Sequence, residues 1–375
     1  MRIIFAGRVT LPSLSKVGMW DRSLPSVKWG FPLGSEIVLR LVSRGHHVVV
    51  VTEHTVDGIE KYRCETRTGG LEVWLVPCRR RSRWSFLTLF KKEASGIKSA
   101  IREISPDVVF AQWVYHNAYA GLTSGYPCLV VAHDSPWRIA LVERDLQSVI
   151  KAFYAQFLVF PILKFMTTVS PYMVDEFRRF NRYKGEIKVI PNGIEVPDHV
   201  VGKVGGRVPM NVVCVSQAGR RKNSATLFKA WDVLKRKHPE WRLKVYGQGM
   251  PEGMVQRAEL DRILREEADL FVSPSLEESF GMVFVEAMRY GIPCIGGEKS
   301  GAVPWVMGDG GVVCDVRSPD KLAECIERVM GDFELRKRLS EGGLRRVREF
   351  FDINKVVDMY EAELARLSSE GLRKE

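Results

Sequence analysis

Two glutamates eight positions apart, Glu278 and Glu286, lie in the stretch Ser273-Pro-Ser-Leu-Glu-Glu-Ser-Phe-Gly-Met-Val-Phe-Val-Glu-Ala-Met-Arg-Tyr-Gly-Ile-Pro-Cys294. The pattern predicts a strand ending at Ser273 and a loop after it. A helix then opens at Ser279-Phe-Gly281, runs through Arg289 and is stopped by Gly291-Ile-Pro293. A glycine at a helix start lets a ligand approach the backbone. The N–H groups of Gly281, Met282 and Val283 have no partner within the helix and would point at that ligand. The helix dipole favours an anion there, such as a phosphate. Glu278 falls in the loop beside this point, and Glu286 more than one turn inside the helix. Carboxylates so placed can reach opposite ends of one ligand, with phosphates between them. They accept charge-assisted hydrogen bonds from sugar and ribose hydroxyls.

The elements that must position these groups alternate along the whole chain. Strands are expected at Ile3–Ala6, His47–Thr52, Val73–Pro77, Val108–Gln112, Cys128–Ala132, Met166–Ser170 and Lys188–Ile190. A second series covers Val212–Ser216, Leu243–Tyr246, Leu270–Ser273, Pro293–Gly296 and Gly311–Cys314. Most are continuous apolar runs, the mark of parallel strands buried on both faces. Helices between them, such as Ser35–Arg44 and Ser224–His238, make right-handed crossover units and doubly wound sheets. Pro191-Asn-Gly193 is a turn signal, and the glycine-bearing stretch 197–209 reads as a linker. Residues 1–197 and 198–349 are thus expected as two domains. The tail 350–375 is expected to be a helix, with Ile353, Val357, Tyr360 and Leu364 on one face, packing back towards the first domain. Two such sheets would leave a ligand cleft outside the carboxyl ends of their strands.

At 375 residues, 45% hydrophobic and 27% charged, the composition is that of a two-domain globular protein. The first residues read as a strand entering a loop rather than a signal peptide. Phe153–Leu163, the longest apolar run, is too short to span a bilayer and reads as a buried helix. A cytoplasmic protein, peripheral at most to the inner face of a membrane, is the expectation. Seven scattered cysteines without a Cys-x-x-Cys pair read as reduced core residues. The net charge of +11 is uneven: residues 1–196 hold 27 Lys and Arg against 17 Asp and Glu, a net +10. Any anionic surface this protein meets, it meets with that half.

Glu278 followed by Phe-Gly, and Glu286 inside Glu-Ala-Met, resemble the signature of the retaining glycosyltransferases of family 4. Other stretches resemble the same family in the same order. These are Arg44-Gly-His46, Val130-Val-Ala-His133-Asp134, Thr168-Val-Ser170, Val189-Ile-Pro-Asn-Gly193, Gly301-Ala-Val-Pro304 and Asp309-Gly-Gly311. The resemblance implies an α/β protein of the GT-B class: two Rossmann-like, doubly wound parallel-sheet domains facing across a cleft. It implies transfer of a sugar from a nucleotide-diphosphate sugar to a hydroxyl acceptor, a glycan or glycolipid, with retention and without a cofactor or metal.

By the resemblance, Glu286 would bind the donor ribose and Glu278 the transferred sugar, with Phe280, Gly281, Met282 and Val283 beside the diphosphate. Lys222, in Arg220-Arg-Lys-Asn223, would be the diphosphate's cation. The family's arginine five residues earlier is Gln217 here, so Arg220 or Arg221 would replace it. His133 would face the sugar at a strand end. The family's paired glycines after the first strand are missing, and Gly34, in Gly30-Phe-Pro-Leu-Gly34-Ser35, is their nearest counterpart. The sequence has no Asp-x-Asp and no His/Cys cluster to hold a metal. A GT-B epimerase and a non-catalytic sugar-nucleotide-binding protein stand as alternatives.

A further reading concerns the basic half. Arg79, Arg80, Arg81 and Arg83 lead into an apolar stripe at helical spacing: Trp84, Leu87, Phe90, Ala94, Ile97, Ile101 and Ile104. From Ala94 onward the stripe is expected to pack on the sheet. Residues 79–92 are expected to touch an anionic membrane. Nucleic acid is not expected as a partner.

Overall fold

Alternating strands and helices gather Met1–Gly193 with Ile353–Glu375 into one unit and Ile194–Asp352 into a second. The computed structural model describes residues 1–15, 17–25, 30–78, 88–197 and 209–372. The division falls between Gly193 and Ile194, ahead of the stretch read as a linker, of which 198–208 lies outside the described residues.

The N-terminal unit is built on β1 (Arg2–Ala6), β2 (Met19–Trp20), β3 (His47–His54), β4 (Glu60–Glu65), β5 (Gly70–Pro77), β6 (Val108–Gln112), β7 (Cys128–Ala132), β8 (Phe165–Thr168) and β9 (Glu186–Val189). Their order in the sheet is β2-β4-β5-β3-β1-β6-β7-β8-β9. From β5 to β9 all pairs are parallel. The strands β4 and β2 add an antiparallel edge. That edge was not expected from the sequence. In Glu60–Glu65 only Tyr62 and Cys64 turn inward, so the run alternates and lacks the continuous apolar look of a central strand.

The chain runs outward from β1 through β3 to β5, then returns to β6 on the other side of β1. This topological switch opens a crevice outside the carboxyl ends of β1 and β6. The C-terminal helix Ile353–Leu372 closes the unit's core. Ile353, Val357, Tyr360 and Leu364 are each at most 2% exposed, and the Tyr360 ring lies 5.0 Å from Phe110. Glu361 ties this helix to Arg44 and His46, and Glu363 ties it to Lys188.

Two expectations in this unit are corrected. The stripe from Trp84 to Ile104 does not form one helix. Leu89 and Phe90 have left-handed φ of +47° and +53°, so the helix starts only at Lys91 and ends at Ile104. Ala94, Ile97, Ile101 and Ile104 are buried, as a helix packed on the sheet requires. Residues 79–87, including the arginines, Trp84 and Leu87, lie outside the described residues. The run Phe153–Leu163 is not a buried helix. An α-helix covers Leu146–Tyr154, a π-helical turn covers Ala155–Val159, and Phe153 and Phe157 are 48% and 65% exposed. Apolar composition alone does not reveal that Tyr154, Ala155, Val159, Phe160 and Leu163 turn inward while Phe153, Phe157 and Ile162 face outward.

The second unit holds β10 (Asn211–Val215), β11 (Arg242–Tyr246), β12 (Leu270–Val272), β13 (Cys294–Gly297) and β14 (Gly311–Cys314). All are parallel, in the order β11-β10-β12-β13-β14. Here the switch lies at β10, between β11 and β12. The loops 216–223 and 273–281 leave the carboxyl ends of β10 and β12.

Candidate active site

In the second unit these two loops meet. After β10 the chain turns at Asn223, whose left-handed φ of +52° is held by its side-chain amide donating to the carbonyls of Pro274 and Val316. That turn brings the basic pair to the second loop. Lys222 Nζ donates to Glu278 Oε1 at 2.7 Å, and Arg221 Nη1 to Glu278 Oε2 at 3.2 Å. Arg221 also bonds the Glu277 carbonyl, and its own carbonyl accepts from the Leu276 N–H. Glu278 is only 9% exposed. Burial works against its charge, but Lys222 and Arg221 outweigh it and hold the carboxyl below its ordinary range. Of the two arginines considered as substitutes for Gln217, Arg221 joins the cluster, and Arg220 is exposed.

Gly281 precedes the helix Met282–Met288 with φ +94°, a conformation that favours glycine. A side chain there would also meet the Phe284 ring at 2.9 Å. Met282 and Val283 follow, half-buried, in the first turn. Phe280 does not offer its side chain to a ligand. It is 3% exposed and packs edge-on against Trp305 and Phe351, anchoring the loop.

Glu286 lies one helical stretch further, 6% exposed, with Oε1 held by Arg257 Nη1 at 2.6 Å. Arg257 opens the helix Arg257–Glu266. Its neighbour Asp261 pairs with Arg289, which in turn donates to the Glu195 carbonyl. Arg257 was not singled out in the sequence. It stands 29 positions from Glu286, in no motif, so only tertiary contact reveals it.

In the N-terminal unit, His133 follows β7 directly. Its Nε2 lies 2.9 Å from Gln112 Oε1, and its ring contacts Trp113 and Phe31 at 4.8 and 5.1 Å. Burial among these groups lowers its pKa to about 3, so the imidazole is neutral. Gly34 is the third residue of the helix Pro32–Ser43. A Cβ there would lie 2.7 Å from Phe31 and 3.0 Å from the Arg8 carbonyl, so glycine lets this helix seat on the β1 turn.

Beside these residues is a cavity of about 320 Å³ at the β1/β6 switch. His116 Nε2 lies 2.8 Å from Glu53 Oε1. Burial opposes ionisation of Glu53, yet His116 and Arg8 hold its carboxyl below the ordinary range. The Tyr115 hydroxyl donates to Asp134 Oδ1 at 2.8 Å, and burial keeps that phenol protonated. Burial lowers the Lys151 pKa against the pull of Asp134. It raises the Cys78 thiol to about 11, so Cys78 is no nucleophile at neutral pH. Trp113 holds a left-handed φ of +64°, a strain of about 1–3 kcal/mol for a bulky residue. None of these lining residues is singled out as a site residue by the sequence. The signal available for Glu53 and Trp113 was their position at or just past the carboxyl end of a parallel strand.

Glycosyltransferase Family 4 describes residues 35–197, and Glycosyl transferases group 1 describes residues 252–346. The chain belongs to glycosyltransferase family 4. Among curated relatives of this family 4 chain, N-acetyl-alpha-D-glucosaminyl L-malate synthase of Bacillus anthracis is 38% identical over 96 residues, 25% of this chain and 25% of that protein. D-inositol 3-phosphate glycosyltransferase of Corynebacterium glutamicum is 27% identical over 172 residues, 38% of this chain and 41% of that protein. The chain thus spans a quarter to two fifths of these relatives' length. Sucrose-phosphate synthase of Thermosynechococcus elongatus superposes with a TM-score of 0.78 at 18% identity, over 99% of this chain and 100% of that one. Anabaena HepE, solved with UDP and glucose, gives 0.65 at 16% identity, over 97% and 99%. The two units are the Rossmann-like halves of the GT-B fold.

Proposed function

We propose that this chain transfers a sugar from a nucleotide-diphosphate donor to a hydroxyl acceptor, with retention and without a metal. The observation carrying this is the part-buried Lys222–Glu278–Arg221 cluster at the switch of the second sheet, whose loop leads directly into the helix bearing Glu286. In this reading Glu286 accepts from the ribose hydroxyls and Glu278 from the transferred sugar. Lys222, Arg221 and the backbone of Gly281, Met282 and Val283 stabilise the diphosphate as the bond from the anomeric carbon to the phosphate oxygen breaks. The acceptor oxygen bonds to the same face of that carbon, and the leaving phosphate oxygen takes its proton. Neutral His133 contributes a hydrogen bond, not a charge. The family match and solved neighbours named for UDP support a nucleotide-sugar donor.

A thermal-shift screen with UDP-, GDP-, ADP- and dTDP-sugars tests the reading, since a ligand of the folded state raises the melting temperature. Turnover should then need an acceptor and survive EDTA. Free sugar released without acceptor would point to an epimerase, and strict dependence on Mg²⁺ or Mn²⁺ would refute the metal-free mechanism.

We further infer that the acceptor is reached at an anionic membrane surface, which the basic N-terminal half would contact reversibly. The net +10 of residues 1–196 supports this. No helix among the described residues is long and apolar enough to cross a membrane. Co-sedimentation with anionic but not neutral liposomes is expected, lost in Arg79/Arg80/Arg81/Arg83→Ser. Protein left in the supernatant with both at low salt refutes it.

A further inference from the structure

The cavity at the β1/β6 switch carries charge of both signs at close quarters. Among the described residues lining it, Glu53, Glu93 and Asp134 are carboxylates, Arg8 and Lys151 are basic, and His116 pairs with Glu53. The cations already have anionic company. Arg8 and His116 act on Glu53, and Asp134 acts on Lys151. A phosphate or carboxylate entering here would have to compete with Glu53 and Asp134 for that positive charge. A hydroxyl would not, because it donates to the carboxylates without disturbing the ion pairs. The remaining wall is aromatic. Phe90 stacks on His116 with ring centroids 4.9 Å apart, and Trp113 is held in place by a backbone conformation that tryptophan rarely adopts. At about 320 Å³ the cavity is at the small end of ligand sites, the size for one ring.

We propose that this cavity takes a neutral, polyhydroxylated acceptor ring, a sugar or cyclitol unit carrying no phosphate or carboxylate. Its hydroxyls donate to Glu53 and Asp134, between the aromatic walls of Trp113 and Phe90. The assignment rests on the transferase reading and narrows it to one class of acceptor. The basic exterior of this half and its acid-lined cavity then do different jobs: the exterior meets an anionic surface, and the cavity selects an uncharged ring.

Saturation-transfer NMR on the full chain would decide it. Methyl α-D-glucopyranoside, methyl α-D-mannopyranoside and myo-inositol serve as neutral probes, against glucose 6-phosphate, mannose 6-phosphate and inositol 1-phosphate. At least one neutral probe should bind, and its phosphorylated counterpart should bind at least about tenfold more weakly. Glu53→Gln and Asp134→Asn should each weaken the neutral probe several-fold. Should Glu53→Gln fail to fold for want of its His116 pair, Asp134→Asn carries the test alone. The proposal is overturned if a phosphorylated ring binds as tightly as its neutral form, if no neutral probe binds, or if folded variants bind like the parent. Phosphate-ring binding that disappears in Arg79/Arg80/Arg81→Ser would overturn it too, by identifying a cationic wall. Calorimetry with UDP, GDP, ADP and dTDP on the same samples tests the donor reading separately. Failure of every nucleotide to bind would sink the transferase reading, whereas failure of the sugar probes alone would sink only this assignment.

Discussion

The two units place their polar residues at the same point of the same architecture, outside the carboxyl ends of strands at a sheet's switch, but they treat charge differently. In the second unit two cations converge on one buried carboxylate: Lys222 and Arg221 on Glu278. Arg257 similarly grips Glu286. In the N-terminal unit His133 is kept neutral by Phe31 and Trp113, and the described cavity residues include three carboxylates, of which Glu53 pairs with His116 and Asp134 accepts from Tyr115. On the readings proposed above, the second unit's site would meet a ligand whose negative charge grows, and the N-terminal cavity one that carries none. A shared fold therefore says where a ligand binds, while the side chains at the strand ends say which kind.

The widest gap between the units should be exposed by Lys222→Ala. Removing one preorganised donor from a developing oxyanion costs on the order of 10²–10³ in turnover, with donor affinity changing less. Steady-state kinetics with the donor found by thermal shift measures this. Normal turnover would make Lys222 no more than a structural partner of Glu278.

Glu286→Ala should weaken donor binding by about 1–3 kcal/mol, through loss of the ribose hydrogen bonds. Calorimetry reads it directly, and unchanged affinity would remove Glu286 from the ribose.

A smaller effect is expected at Arg257, whose side chain is 45% exposed and whose ion pair is correspondingly screened. Arg257→Ala should raise the donor KM several-fold with kcat kept, and Arg257→Lys should recover part of the loss. A fall in kcat alone would show that Arg257 does not act through Glu286.

A change in stability rather than activity belongs to His133. Its folded pKa of about 3 lies below the unfolded value, so the unfolded chain takes up a proton first as pH falls. His133 thus contributes stability above about pH 6.5 that is lost progressively towards pH 3. The parent's melting temperature should fall more steeply over that window than that of His133→Gln. Parallel curves would mean that the imidazole is charged in the folded protein, and the contrast between the units would weaken.

The sequence by itself determined the periodic framework. Central strands such as Val108–Gln112, Cys128–Ala132 and Leu270–Val272 announce themselves, because a strand buried on both faces must be apolar throughout. The C-terminal helix is legible for a similar reason, since Ile353, Val357, Tyr360 and Leu364 recur at helical spacing. Glu278, Gly281 and Glu286 stand out because they fall within one local strand–loop–helix stretch. Tertiary structure alone decided what local pattern cannot encode. It set which arginine reaches Glu278, that Arg257 holds Glu286, and that the Phe153–Leu163 run turns Phe153 and Phe157 outward. It also brought Glu53, His116 and Asp134, from separate crossover units, to one cavity. Periodicity records which face of an element is buried. The partner that face meets, and the charges gathered at strand ends far apart in the chain, depend on the order in which the sheet is assembled.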